Sequence, residues 1–186
     1  MHLLDDETDE TEKGIRLFVS DIERRGTPVS ATGRLLLNNL LMGIMDVRVS
    51  ASKFIKLHPE ARSIAIKRPL IIVGLPRTGS TFLLSLLAQD VGTRHLRFWE
   101  MNWPIPPPKE STYYTDFRIA AQDTGMSAID LVCPAYIDEC AKNHVIAAST
   151  IEEELLILHH NFLLFSHYFL TGYDSKFSVR VPFFFG

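Results

Sequence analysis

The sequence is poor in cysteine, in long apolar runs and in net charge, and each shortage excludes a class of protein. The two cysteines among its 186 residues give neither a disulfide framework nor a C-x-x-C metal pair. No stretch supplies the ~20 mostly apolar residues of a membrane span. The acidic N-terminus lacks the apolar core of a secretory signal. We therefore expect a reduced, cytoplasmic protein without a membrane span.

The charge is small overall but unevenly distributed. The net charge of −3 argues against nucleic acid as a partner, and 46% hydrophobic residues exclude a disordered chain. Residues 47–99, however, carry nine Lys or Arg and only two acids. This basic middle is where we expect an anionic ligand, although solvated helix faces would give the same excess.

Hydrophobic periodicity and turn signals divide the chain into helices, strands and loops. Residues 13–68 are predicted to be helical, with a break at Gly26-Thr27-Pro28. Residues 69–74 form a short β-branched run between Pro and Gly, which is typical of a buried parallel strand. The other predictions are a helix at 82–90, an extended Pro-rich loop at 103–109, a helix at 113–123, a long helix from a Thr150–Glu153 capping box to about Leu170, and a second strand at 177–181.

The most informative motif is Gly74-Leu-Pro-Arg-Thr-Gly-Ser-Thr81, which follows the predicted strand and opens the next helix. Its spacing matches the phosphate-binding loop G-x-x-x-x-G-K-[ST], except that Ser80 replaces the lysine. Glycines let backbone N–H groups approach a phosphate, and the helix N-terminus adds a positive dipole end. Arg77 can grip phosphate oxygens with its planar guanidinium. The alternative is a plain strand–turn–helix corner with an incidental arginine.

The segment Pro69-Leu-Ile-Ile-Val-Gly-Leu-Pro-Arg-Thr-Gly-Ser-Thr-Phe-Leu-Leu resembles the 5′-phosphosulfate loop of sulfotransferases. These enzymes use 3′-phosphoadenosine 5′-phosphosulfate (PAPS), and the similarity is greatest to the bacterial-type branch called the sulfotransferase 3 family. Phe98-Trp-Glu-Met-Asn-Trp-Pro-Ile-Pro-Pro-Pro108 resembles its W-E-x-x-x-P-x-P-P-P segment. His144 and Glu152-Glu-Glu154 resemble its H…P-E-E stretch, with Ile151 where proline is usual.

The resemblance implies a fold, a co-substrate and a division of the chain. The fold is a P-loop-type, three-layer α/β/α arrangement around a parallel sheet. Complete enzymes are considerably longer and bind the 3′-phosphate of PAPS in their second half. The chain is thus expected to comprise an acidic tail (1–12), a helical region (13–68) and a truncated N-terminal half of the sulfotransferase domain (69–186), with reduced or no activity alone.

The resemblance also implies roles for individual residues. Arg77, Thr78, Gly79, Ser80 and Thr81 would cradle the 5′-phosphate and the sulfate, and Arg77 would stabilise charge on the transferring sulfuryl group. No metal is required, because positioning and fixed positive groups supply most of the catalysis in such transfers. The acceptor is expected to be a hydroxyl or an amine on a small molecule, glycan or lipid.

A general base must take the proton of the acceptor. Glu100 is the first candidate, since several sulfotransferase branches place a base at about this position, and a surface or capping carboxylate is the alternative. His144 is the second candidate because imidazole titrates near neutral pH, and a packed histidine is the alternative. We interpret His159, His160 and His167 as packing or exposed residues. The acids at 152–154 are explained by the dipole of the predicted helix.

Two other functions stay open at this stage. A degenerate P-loop kinase or NTPase would need a loop lysine and a downstream acid for Mg²⁺, and Ser80 argues against the first. A non-catalytic helical interaction module is favoured by the apolar segments in 13–68 and 155–170. Aromatic residues suggest an apolar acceptor pocket or, equally, core packing; they are Trp99, Trp103, Tyr113 and Tyr114. A homo-oligomer also stays open.

Overall fold

The structure is a computed structural model that describes residues 8–24, 29–75, 78–134, 136–142 and 145–162. Its contacts divide the chain into two compact units. The described parts of residues 1–58 and 155–186 form the first unit, and those of 59–154 form the second. Within the described ranges, no helix is both long enough and apolar enough to cross a membrane.

The first unit is built on two helices, α1 (Thr8–Arg24) and α2 (Ala31–Leu57). The Ser30 hydroxyl caps α2 by accepting the Gly33 N–H at 3.0 Å. The two helices confirm the predicted break in the helical region, although Gly26-Thr27-Pro28 itself lies outside the described residues. The first helix begins at Thr8, which lies inside the segment predicted to be an acidic tail.

Phe18, Ile44 and Phe162 form the core of this unit. The rings of Phe18 and Phe162 lie 5.9 Å apart, and both side chains are fully buried. Arg48 on α2 donates to the side chain of Asn161 and, at 3.3 Å, to the carbonyl of His160. These contacts fix the 3₁₀-helix Glu154–Asn161 against α2.

The second unit places short helices between long loops. It begins with the 3₁₀-helix Pro59–Ser63 and a non-helical stretch, and it ends at Glu154, the first residue of the next 3₁₀-helix. Its helices are α3 (Ser80–Leu87), α4 (Phe98–Asn102), α5 (Phe117–Val132) and α6 (Tyr136–Ala141), with a 3₁₀ turn at Glu110–Thr112.

No described residue pairs with the segment predicted to be a strand at 69–74. The described residues contain no sheet, and their single bridge is an antiparallel one between Arg97 and Ile151. Leu70, Ile71 and Val73 are 70%, 68% and 89% exposed. A buried parallel strand needs a hydrogen-bonded neighbour on each side, and the described residues supply none, so they do not confirm the strand predicted at 69–74. The predicted strand at 177–181 lies outside the described residues.

Several predicted boundaries move because of local capping. The helix predicted at 113–123 runs instead over Phe117–Val132, since the Asp116 carboxylate accepts the Arg118 N–H at 3.0 Å and caps it there. The Pro-rich stretch 103–109 is irregular, as predicted. The long helix opening at Thr150 is wrong within the described residues, because the Thr150 hydroxyl donates back to the Ala147 carbonyl at 2.7 Å. Helical geometry there starts only at Glu154, as a 3₁₀-helix.

Candidate functional site

The loop between the predicted strand and α3 is tight where the motif places its glycines. The Thr78 hydroxyl donates to the Leu75 carbonyl at 2.6 Å. A Cβ on Gly74 would lie only 3.0 Å from the Thr78 Oγ1, so a side chain at that position would press on the turn. Gly79 has φ +88° and caps α3, and its carbonyl accepts the Leu83 N–H at 3.0 Å. The loop therefore turns directly into a helix N-terminus, as the motif predicts.

That N-terminus presents backbone donors and two hydroxyls. The first N–H groups of an α-helix have no partner within the helix and carry partial positive charge. Ser80 and Thr81 occupy the first turn of α3, and both are half-buried. The Thr81 hydroxyl donates to the carboxylate of Glu153 at 3.2 Å. An anion seated here would meet backbone amides and hydroxyls together.

Gly79 and Gly125 offer a matched test of the loop conformation. A methyl group added at either position would meet open space, but only Gly79 has a positive φ. Gly125→Ala on α5 should stabilise the protein by about 0.5–1 kcal/mol, because alanine is the better helix former. Gly79→Ala should destabilise it by about 1–2 kcal/mol through backbone strain. Urea unfolding of both variants measures the difference, and equal effects would contradict the positive φ.

Glu100 lies at the centre of a buried hydrogen-bond network. Its side chain on α4 is 3% exposed. Its Oε2 accepts the Arg97 N–H at 2.9 Å and the Tyr113 hydroxyl at 2.6 Å, and Arg94 donates to both oxygens. The Arg97 bond also caps the start of α4. Four hydrogen bonds thus reach the carboxylate, three of them at Oε2 and one at Oε1.

The surrounding groups have altered protonation equilibria. Burial and the hydrogen bond to Glu100 raise the pKa of Tyr113, so its phenol remains a donor at neutral pH. Burial, together with the charges of Arg97 and Arg94, lowers the pKa of His95, which keeps that imidazole neutral at pH 7. The Tyr113 hydroxyl and the Arg94 guanidinium are therefore both hydrogen-bond donors to Glu100 at neutral pH.

The aromatic residues around this network divide into core and surface. Trp99 is fully buried, and its ring lies 5.8 Å from that of Tyr113. Arg97 lies over the rings of Tyr113 and Tyr114 at 5.7 and 5.6 Å, within the range of cation–π attraction. Tyr114 is 78% exposed. Trp99 thus packs in the interior, while Tyr114 is open to solvent.

Arg118 is the anchor of the Pro-rich segment. It donates at 2.7 Å to the carbonyls of both Trp103 and Pro106. Two further bonds, of 2.9 and 2.7 Å, join its guanidinium to the Asp116 carboxylate. The guanidinium also lies 4.7 Å from the centre of the Trp99 ring. This one side chain therefore fixes the segment that follows α4.

A backbone pairing brings residues 148–153 alongside the start of α4. The Phe98 N–H donates to the Thr150 carbonyl at 3.0 Å, and the Glu152 N–H donates to the Leu96 carbonyl at 3.1 Å. Glu153, the next residue, is half-buried and reaches Thr81 on α3. The pairing thus places a carboxylate at the end of the predicted anion-binding loop.

Residues 69–176, which are more than half of the chain, match the model of the sulfotransferase family. The chain belongs to the sulfotransferase family. Its structure is similar to the crystal structure of sulfotransferase STF9 from Mycobacterium avium, with a TM-score of 0.75 and 29% identity over 94% of this chain and 43% of that one. No curated protein sequence matches the chain.

The fold is also similar to that of sulfotransferase STF1 from Mycobacterium tuberculosis H37Rv, with a TM-score of 0.71 and 23% identity. The match covers 97% of this chain and 48% of that one. The chain therefore spans less than half the length of both solved sulfotransferases. The recognition of the family from its loop and its Trp-Glu-Pro-rich segment is confirmed.

The structure describes only some of the residues predicted for a sulfotransferase site. Thr78, Gly79, Ser80 and Thr81 come together at the start of α3. Arg77 and His144 lie outside the described residues, so their roles stay predictions. Glu100 is described, and it lies in the Arg94–Tyr113 network.

The histidines after Glu154 do not assemble a metal site in the described part of the chain. His160 is buried at 6% exposure, with the ring of His159 5.5 Å from its own. No group of three His, Cys, Asp or Glu suited to a metal occurs among the described residues. Packing accounts for His160 as expected, and His167 lies outside the described residues.

Sequence reasoning missed the contacts of two residues of this chain. Glu153 was explained by a helix dipole, yet its carboxylate contacts Thr81, 72 residues earlier in the chain. Arg118 had no assigned role, although it holds two carbonyls of the Pro-rich segment. The one signal for Arg118 was its position two residues after Asp116, which is the spacing of a helix cap. No local signal pointed to the contact of Glu153.

Proposed function

We propose that this chain supplies the donor-binding loop of an enzyme that moves a sulfuryl group from PAPS to a hydroxyl or amine. The acceptor would be a small molecule, a glycan or a lipid. The observation that carries the proposal is the loop at 74–81, in a chain of this family. There a glycine with positive φ turns into the N-terminus of α3, and the next two residues carry hydroxyls. Such a terminus binds the oxygens of phosphate and sulfate.

Each group of the loop is proposed to contact the part of the donor that suits its chemistry. The amides and the hydroxyls of Ser80 and Thr81 would donate to the 5′-phosphate and the sulfate, and Thr78 would hold the turn before them through its bond to the Leu75 carbonyl. Arg77 would place its guanidinium against the sulfuryl oxygens, where charge is spread in a loose transition state. In the reaction the acceptor oxygen or nitrogen bonds to sulfur, and the bond from sulfur to the bridging phosphate oxygen breaks. The electron pair leaves with the phosphate.

The proton of the acceptor needs a base, for which Glu100 and His144 are the proposed residues. At Glu100 the acceptor hydroxyl would have to reach a buried carboxylate, whose Oε2 already accepts the Tyr113 hydroxyl at 2.6 Å. The high pKa of Tyr113 is consistent with a phenol that gives its hydrogen bond, not its proton, to Glu100. No metal ion has a part in this scheme.

Donor binding is the appropriate first test, because the chain spans less than half the length of both solved neighbours. We expect calorimetric titration with 3′-phosphoadenosine 5′-phosphate (PAP) to show binding that is unchanged by EDTA. Adenosine should bind at least about tenfold more weakly, since it lacks the anionic group that the loop contacts.

Two results would contradict the proposed donor site. Equal affinities for adenosine and PAP would mean that the loop does not hold the 5′-phosphate. Binding of ATP that requires Mg²⁺ and exceeds the binding of PAP would favour a P-loop NTPase instead.

A further inference from the structure

The hydrogen bond between Thr81 and Glu153 competes with the proposed donor. A threonine hydroxyl has one proton to donate, and here it goes to the Glu153 carboxylate at 3.2 Å. The oxygens of phosphate and sulfate on the donor also accept hydrogen bonds. Thr81 cannot donate to both partners, so its hydroxyl must turn away from Glu153 when it donates to the donor.

The position of Glu153 is set by the backbone and not by Thr81. The Arg97–Ile151 bridge and the bond from the Glu152 N–H to the Leu96 carbonyl hold the strand-like segment before it. Among the described residues, Thr81 is the hydrogen-bond partner of its side chain. The carboxylate therefore stays near the N-terminus of α3 after Thr81 turns away, where its charge opposes an incoming anion.

We propose that Glu153 sets the affinity of the donor site by occupying the Thr81 hydroxyl in the empty loop. The proposal rests on the proposed function, because it takes the loop to be the site of the PAPS 5′ end. Glu153 thus acts through Thr81, as a positioning residue, and takes no part in bond making. Donor binding must break the Thr81–Glu153 bond and tolerate a neighbouring negative charge.

The test is calorimetric titration of the full chain with PAP in four forms: wild type, Glu153→Gln, Glu154→Gln and Thr81→Val. Glu153→Gln removes the charge with little change in shape, and we expect it to bind PAP about three- to tenfold more tightly. Glu154→Gln removes an equal charge from the next, exposed residue, and we expect less than a twofold change. Thr81→Val should bind PAP more weakly than wild type. A tighter-binding variant cannot be explained by partial unfolding, which only weakens binding.

The double variant Thr81→Val/Glu153→Gln separates the hydrogen bond from the charge. If Glu153 acts through the hydroxyl, replacing it in the Thr81→Val background should give clearly less than its effect in wild type. PAP binding by Glu153→Gln alone, with none by wild type, would also support the proposal.

Three outcomes would overturn the inference while the donor site stands. They are an unchanged or weaker affinity of Glu153→Gln, an equal gain in Glu154→Gln, and a gain that persists in full without the Thr81 hydroxyl. Absence of PAP binding in every form would overturn the proposed function and this inference together.

Discussion

Arg77→Ala should abolish sulfuryl transfer from PAPS or reduce it by about 100- to 1000-fold, the loss expected when one fixed group that stabilises transition-state charge is removed. Ser80 stands where a phosphate-binding loop has lysine, so Arg77 is the cation that the loop sequence itself provides. Arg77→Lys should recover only part of the rate, because an ammonium group cannot contact two oxygens in parallel. The measurement is the release of PAP from PAPS with 4-nitrophenol as the probe acceptor.

The control for Arg77 is a basic residue away from the loop. Lys56→Ala removes an exposed cation in the last turn of α2 and should leave the rate unchanged. Equal and measurable rates for wild type and Arg77→Ala would contradict the role of the guanidinium.

Arg118→Ala should cost about 3–5 kcal/mol of stability, the range measured when one partner of a buried ion pair is removed. The side chains of Arg118 and Asp116 are only 5% and 10% exposed. The variant leaves the Asp116 carboxylate and the carbonyls of Trp103 and Pro106 without these bonds. Urea unfolding followed by tryptophan fluorescence measures the loss, since Trp99 lies against the guanidinium.

An exposed ion pair provides the comparison for Arg118. Arg16 and Glu12 on α1 are 76% and 58% exposed, so Arg16→Ala should cost less than about 0.5 kcal/mol. A loss below about 1 kcal/mol for Arg118→Ala would show that the Pro-rich segment is held by other contacts.

The same pair predicts a pH dependence with a definite sign. The hydrogen bonds from Arg118 lower the pKa of Asp116 below its ordinary value. The stabilisation is therefore complete above the pKa of Asp116 in the unfolded state, about 4. It is lost as the pH falls through the lower pKa of Asp116 in the folded state. Arg118→Ala should lose less stability than wild type between about pH 5 and pH 2.

Local signals in the sequence predicted those elements whose causes are local. The turn at Gly79 and the helix after it follow from the spacing of glycines and hydroxyls, and Gly79 does adopt a positive φ. The division of the N-terminal region into two helices follows in the same way from a Gly-Thr-Pro break. These features depend on the backbone preferences of single residues, and such preferences can be read directly from the sequence.

Other features depended on partners far along the chain and were missed or misplaced. The contact of Thr81 with Glu153 joins residues 72 positions apart, through a pairing that no local pattern marks. Thr150 has the spacing of a capping box, but its hydroxyl turns back to Ala147 while the adjoining segment pairs with residues before α4. Tertiary pairing overrode the local preference there. The sheet of the predicted α/β fold likewise depends on pairing between strands that are far apart in the sequence. The described residues contain no such paired strands.

The most direct test of the account maps where the donor's 5′ end binds. In ¹⁵N-labelled protein titrated with PAP, the largest amide shifts should fall on Gly79, Ser80 and Thr81, at the loop and the first turn of α3. The same titration with adenosine should leave these three amides in place. Saturable PAP binding with shifts elsewhere and none at residues 78–81 would contradict the claim that this loop seats a phosphosulfate.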